Sequence, residues 1–243
     1  MMQLYNTLLY QPMLNLLVFF YNLIPDIGVG IIILTIIIRL ILLPLTAKMY
    51  KSQKAMQALQ PQMKELQEKY KKNPQELSKA MMQLYQKEKV NPLSSCLPVL
   101  LQLPFLIALY QVLVAGLDAT KTLPPLYSFI SNPEHLSPYF LSVIDLSVKS
   151  LPLAVLAGIA QYFQTKMMPM QAAPRGIPGS KDENMMAGMN RQMLYIMPVF
   201  TVFIGASMPA GLTFYWLITT LFSIAQQWYF LRGKAPTPQD GST

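Results

Sequence analysis

Between residues 28 and 46 the chain sets thirteen Ile, Leu and Val residues around a single charge, Arg39, in the run GVGIIILTIIIRLILLPLT. Residues 94 to 116, 150 to 168, 192 to 208 and 209 to 230 repeat this texture, the last two meeting at Pro209-Ala210-Gly211. Each run has the length or the apolarity to cross a hydrocarbon core of about 30 Å. Proline and glycine inside them are tolerable, because packed neighbours can satisfy the freed backbone groups. The pattern predicts an all-α integral membrane protein with five transmembrane helices.

Residues 1 to 27 are weaker. The apolar stretch from 13 to 24 is short, broken by Asn15 and Asn22 and preceded by Pro12. It reads as an N-terminal interfacial amphipathic helix lying on the membrane. An uncharged helix crossing the membrane over residues 4 to 24 is the alternative, and the pattern leaves both open. The segment has no basic n-region and no small-residue cleavage site, so no conventional secretory signal is expected. It also offers no cysteine to lipidate.

Residues 47 to 93 change character. Met56, Leu59, Met63, Leu66 and Tyr70 recur at three and four residues on a lysine-rich background, the mark of an amphipathic helix. After it, Asn73, Pro74 and Glu76 supply a helix cap, a first-turn proline and a capping-box acid. Leu77, Met81 and Leu84 then give a second helix its own apolar face. Together they predict a cytoplasmic helical hairpin. Its stripes can pack on each other, or Met56, Met63, Met81 and Met82 can offer an adaptable contact surface for varied apolar partners; the spacing fits both.

Composition agrees with the membrane assignment. The chain is 53% hydrophobic and 12% charged, about half the charge of an average soluble domain. Its net charge of +8 is distributed as topology demands. Ten lysines lie in residues 47 to 93, and Lys166, Arg175, Lys181, Arg191, Arg232 and Lys234 fall on the same side. The loop at 117 to 149 has only Lys121 and Lys149. This asymmetry predicts an N-terminus outside and a cytoplasmic C-terminus. No basic surface interleaved with aromatics points to nucleic acid. Residues 169 to 191 read as a cytoplasmic loop with a Gly- and Pro-rich linker, and residues 231 to 243 as a cytoplasmic tail.

One cysteine, Cys96, and one histidine, His135, leave no disulfide, no multi-cysteine metal site and no His-based site. With no Gly-rich phosphate loop and no Ser/His/acid set, an enzyme is not expected, nor is a cofactor.

The run around Arg39 inserts despite the charge, since each branched aliphatic contributes about −0.3 to −0.6 kcal/mol against roughly +2.5 to +3.5 for one central Arg. At 1.5 Å per residue, Arg39 sits about 10 Å below the end of a straight helix running to Thr46. It can snorkel, or it can face a water-filled cavity open to the cytoplasm. A cavity predicts polar residues on neighbouring runs, and Gln102, Gln161, Gln164, Thr213, Thr219, Thr220, Gln226 and Gln227 supply them. No Asp or Glu lies in any run, which argues against the carboxylate coupling of a transporter.

Three blocks carry a resemblance: IIIRLILLPLTAKMYKSQKAMQALQPQMKELQEKY, NPLSSCLPVLLQLPFLIALYQVL and MPAGLTFYWLITTLFSIAQQWYF. In order and spacing they resemble the signature blocks of the YidC/Oxa/Alb family of membrane protein insertases, over residues 10 to 231. The resemblance implies a five-helix membrane core and a hydrophilic groove, closed to the outside and open to cytoplasm and lipid. A substrate's polar extracytoplasmic tail would enter the groove while its apolar segment slides into the bilayer. Arg39 matches the family's groove arginine, Gln102 and Gln164 match polar groove positions, Gln161 matches less closely, and Trp216 matches a motif tryptophan. Thr213 and Gln226 complete the implied groove. The implied apolar slide comprises Leu103, Phe105, Leu106, Leu109, Phe214, Leu217 and Leu221, for which helix packing is an equal reading.

The implied partners are nascent membrane proteins with short acidic tails and the lipid bilayer, with ribosome, signal-recognition pathway and Sec translocon as further candidates. The implied location is a bacterial plasma (inner) membrane. The resemblance is to the short bacterial type, for which no large extracytoplasmic domain is expected. A Sec-dependent assembly chaperone without autonomous insertion fits the same residues, and the sequence does not separate the two roles; a polar-solute channel fits less, since a symmetric repeat or intramembrane acids would be expected of it.

Overall fold

The computed structural model describes all residues except 1, 72, 92–96, 118–122, 134, 168–180 and 233–243. Cys96, Lys121, the Gly- and Pro-rich linker and most of the tail lie outside the described residues.

The chain is mostly helical. At the N-terminus, α1 (Met2–Tyr5), a π-helical turn (Asn6–Tyr10) and α2 (Gln11–Leu23) follow one another without a break. Asp26 then caps α3 (Ile27–Ile41), its Oδ1 accepting from the backbone N–H of Val29 at 3.0 Å. The straight helix expected through Thr46 is absent. At Leu42 the chain bends by 65° into α4 (Leu43–Ala58). Pro44 has no N–H for the carbonyl of Leu40, and its ring disfavours a continuous helix. This places Arg39 in the last turn of α3, beside the bend.

Three helices follow: α5 (Gln60–Lys69), α6 (Pro74–Lys87), capped by Asn73, and α7 (Leu97–Leu117). A two-stranded antiparallel sheet, β1 (Tyr139–Phe140) and β2 (Ile144–Asp145), pairs Phe140 with Ile144. Neither strand is evident in the apolar pattern, because two residues are too few to show a period. The chain ends in α8 (Leu151–Met167), α9 (Lys181–Ser207) and α10 (Ala210–Leu231).

The last helix organises the rest: α10 touches α3, α4, α7, α8 and α9. One core joins Leu14, Leu17 and Val18 of α2 to Ile31 and Leu34 of α3, Leu109 and Val112 of α7, and Phe214 and Tyr215 of α10. A second, separate cluster holds Met56, Leu59, Met63, Met81, Leu84 and Tyr85 where α4, α5 and α6 meet. Three of the four methionines offered as a contact surface are therefore spent on internal packing, and Met82 alone is exposed, at 53%. The reason is spacing: Met81 shares the stripe of Leu77 and Leu84, whereas Met82 is one residue, about 100°, off it.

By length and composition, Leu100–Leu117 is one helix able to cross a membrane, and the bent pair α3–α4 passes the same test taken together. Large apolar side chains nevertheless cover the outside of the bundle. Leu103, Ile107, Tyr110 and Val114 line one exposed face of α7, Leu156, Ile159 and Phe163 one of α8, and Ile196, Val199 and Phe203 one of α9. A soluble domain does not present apolar surface on this scale.

Candidate functional site around Arg39

Arg39 is half-buried where α3, α7 and α10 converge. Its Nη2 donates to Oε1 of Gln102 on α7 and to the backbone carbonyl of Thr219 on α10, both at 3.3 Å. The Gln102 amide is used at both ends, since its Nε2 donates to the hydroxyl oxygen of Tyr215. Tyr215 is 2% exposed and lies one turn before Thr219 on the same face of α10. Arg39, Gln102, Tyr215 and the Thr219 carbonyl thus form one cage with a single formal charge. Among the described residues both acceptors meet Nη2, while a guanidinium carries five N–H donors. No group of acidic, histidine or cysteine side chains suited to a metal occurs among the described residues.

The remaining expected groove residues divide. Thr213 is buried, but its hydroxyl donates to the Gly205 carbonyl at 2.9 Å and so faces α9 rather than the cage. Its angular position explains this: Thr213 precedes Thr219 by six residues, about 120° around the helix. Gln161 and Gln164 are half-buried on α8, and the Gln161 amide meets Thr165 on its own helix at 3.4 Å. Trp216 is half-buried one residue away from the Tyr215 face. Gln226 shares the face of Tyr215 and Thr219, two turns further along, and is 6% exposed.

The apolar set divides by exposure. Leu103 and Leu221 are 45% and 48% exposed, and Phe105, Leu106 and Leu217 are partly buried against the core. Leu109 and Phe214 are core residues, at 0% and 5%. Phe214 instead meets Phe140 at a ring separation of 4.8 Å. Phe140 comes from β1 and lies over Gly28 so closely that any side chain there would collide with its ring. The loop thereby closes the end of the bundle opposite the Arg39 bend. Asp26 fixes the closure: one carboxylate oxygen caps α3, and the other accepts from the backbone N–H of Leu141 at 2.7 Å. Leu141 and Ser142, at φ 50° and 59°, form the tip of this hairpin in the left-handed region.

Two members of the cage were not visible in the sequence. Tyr215 stands in an apolar run where a tyrosine reads as core or interface, and the Thr219 acceptor is backbone, which carries no residue signature. The available signal for Tyr215 was its four-residue spacing from Thr219.

The family profile described as 60Kd inner membrane protein matches residues 19–237. A membrane protein insertase YidC of Geobacter sulfurreducens is 36% identical over 227 residues, 93% of this chain and 37% of the relative. One from Francisella tularensis subsp. novicida is 39% identical over 212 residues, 87% of this chain and 34% of the relative. The chain therefore spans about a third of the length of these curated relatives. Among solved structures, one titled "Active YidC insertase crystal structure with the first transmembrane domain resolved" is similar with a TM-score of 0.63 and 28% identity, covering 93% of this chain and 46% of that one.

Proposed function

The chain belongs to the 60Kd inner membrane protein family, that of the YidC insertases, and on that premise we propose that it inserts proteins into a bacterial inner membrane. Its polar groove takes a substrate's extracytoplasmic tail, and its exposed apolar faces release the substrate's hydrophobic segment into lipid. The observation that carries this reading is the Arg39 cage: one cation between three helices, held among the described residues by neutral acceptors.

Such a cation is costly in hydrocarbon unless water reaches it. Its acceptors engage one nitrogen, so the other guanidinium N–H groups call for solvent or a ligand. A wetted path shortens the distance over which a polar tail must do without water, and the unopposed charge attracts an acidic tail. The Phe140–Phe214 closure supports a groove sealed at the outer end. Leu103 and Leu221 support a sliding surface, since both expose apolar area on helices that flank the cage.

The same reading assigns five membrane spans: α3, α7, α8, the C-terminal part of α9, and α10. The α5–α6 pair is the cytoplasmic hairpin, with the N-terminus outside. In this topology α2 lies on the outer surface. It is supported there by three hydrogen bonds to the loop after α7: Asn15 with Tyr127, Asn22 with Ser131, and Tyr21 with Ser137. Nascent membrane proteins with short acidic tails are the proposed substrates, with ribosome, signal-recognition pathway and Sec translocon as proposed partners. The role is non-catalytic.

The test is insertion of a small membrane protein with an acidic tail into lipid vesicles lacking Sec, scored by protection of the tail from external protease. Protection above that in protein-free vesicles is the expected result. Protection only after the Sec translocon is added would replace autonomous insertion with an assembly-chaperone role.

A further inference from the structure

The polar stripe of α10 continues beyond the cage. Tyr215, Thr219, Gln226 and Phe230 follow one another at four, seven and four residues, which puts them on one helical face. Gln226 lies about 10 Å beyond Thr219 at 1.5 Å per residue. It is 6% exposed, and among the described residues neither the nitrogen nor the oxygen of its amide has a hydrogen-bond partner. Gln227, the next residue, is 0% exposed and its amide is likewise unpartnered among the described residues, but it lies about 100° around the helix from the face of Tyr215 and Thr219. Thr220 and Ser223 give their hydroxyl protons to the carbonyls of Trp216 and Thr219, one turn back. A buried amide left open at both ends is unfavourable, so the state that keeps it open is poised to bind.

Thr46, Met49, Tyr50 and Gln53, at three- and four-residue spacing, form the buried face of α4, and α4 packs against α10. Tyr50 stacks on Phe230 with ring centroids 5.6 Å apart and planes 20° apart. Gln53, one turn along, is 3% exposed, and among the described residues its Oε1 also lacks a partner. The 65° bend that attaches α4 to α3 begins three residues after Arg39.

We propose that Gln226 is a second binding station of the groove, one that hydrogen-bonds the backbone of an extended polypeptide, and that α4 is its removable cover, latched by the Tyr50–Phe230 stack. A primary amide presents a donor and an acceptor together, the complement of a peptide carbonyl and N–H. It therefore recognises a chain whatever its charge, whereas Arg39 favours acids. The inference rests on the insertase reading and deepens it: neutral polar tails depend on Gln226, and acidic tails are held at Arg39 as well.

The experiment uses the full chain with Cys96→Ser, reconstituted in lipid vesicles. Two probe proteins have the same apolar segment behind either a neutral Ser/Gly/Gln tail or an acidic tail, each tail carrying one cysteine. Disulfide adducts are measured at Gln226→Cys and, as the lipid-facing control, at Phe203→Cys. Insertion is measured with Gln226→Leu and Gln226→Asn. The expected results are an adduct at position 226 well above the control, raised further by Phe230→Ala. Gln226→Leu is expected to lower insertion of the neutral tail about tenfold, as for loss of a buried hydrogen-bond partner, with a smaller loss for the acidic tail and partial recovery in Gln226→Asn. Adducts equal at positions 226 and 203, or equal losses for both tails, would overturn the station. Adducts at 226 without insertion by any form would contradict the insertase reading and leave the station standing.

Discussion

Nη2 of Arg39 lies 3.3 Å from Oε1 of Gln102, and the other end of that amide donates to Tyr215, so one glutamine ties the α3 cation to an α10 phenol. Removing either partner disorganises the same cage. Arg39→Ala and Gln102→Leu are each expected to slow insertion of an acidic-tailed substrate about tenfold or more, and the double variant little beyond the worse single one, because residues in one network are not additive. A double-mutant cycle on initial insertion rates measures this. Fully multiplicative losses would mean that the two side chains act separately.

Arg39→Lys separates charge from shape. A lysine keeps a point charge but lacks the fork that reaches two acceptors on different helices. Partial insertion is expected for an acidic tail, between the unaltered protein and Arg39→Ala. Activity equal to that of the unaltered protein would reduce the cage to simple charge attraction.

The hydrophobic runs and the lysine asymmetry made the membrane class legible, and Arg39 with Gln102 stood out because polar groups in such runs are costly. The rest of the cage did not stand out, since Tyr215 is chemically ordinary in a buried helix and the Thr219 acceptor is main chain. The contact of Thr213 with the Gly205 carbonyl did not stand out either, because polarity shows that a residue avoids lipid, not which neighbour it faces. Pro44 was visible, but a proline near the end of an apolar run permits either a helix stop or a new first turn. The Phe140 closure joins residues more than a hundred positions apart from Gly28, a contact no local pattern encodes.

That closure predicts a compensating pair. Gly28→Val drives a side chain into the Phe140 ring and is expected to cost about 1–3 kcal/mol, the usual range for overpacking. Phe140→Ala should restore much of that loss when combined with it. Thermal unfolding in detergent for both single variants and the double reads the coupling; a double variant no better than the sum of the singles would show that the contact does not set the packing.

Gly158 lets α8 and α9 approach closely, with the space of a Cβ already taken by Val202 and the Pro198 carbonyl. A small residue is what so close a helix contact requires. Gly158→Val should lower the thermal midpoint, while Val155→Leu, on the exposed face of α8, should leave it unchanged. Equal midpoints for the two would remove Gly158 from the packing account.

The topology is checked with single cysteines in a Cys96→Ser background. Lys64→Cys on α5 and Phe129→Cys in the loop before β1, where Phe129 is 77% exposed, should label from opposite sides with a membrane-impermeant thiol reagent. Labelling of both from one side would overturn the arrangement.

The most direct measurement of the central claim is insertion of an acidic-tailed membrane protein into Sec-free vesicles by the purified chain, unaltered and as Arg39→Ala. The account predicts protease protection of the tail with the unaltered chain and a loss of about tenfold or more in the variant, the scale of removing one desolvated charge partner. Equal protection with both would contradict it.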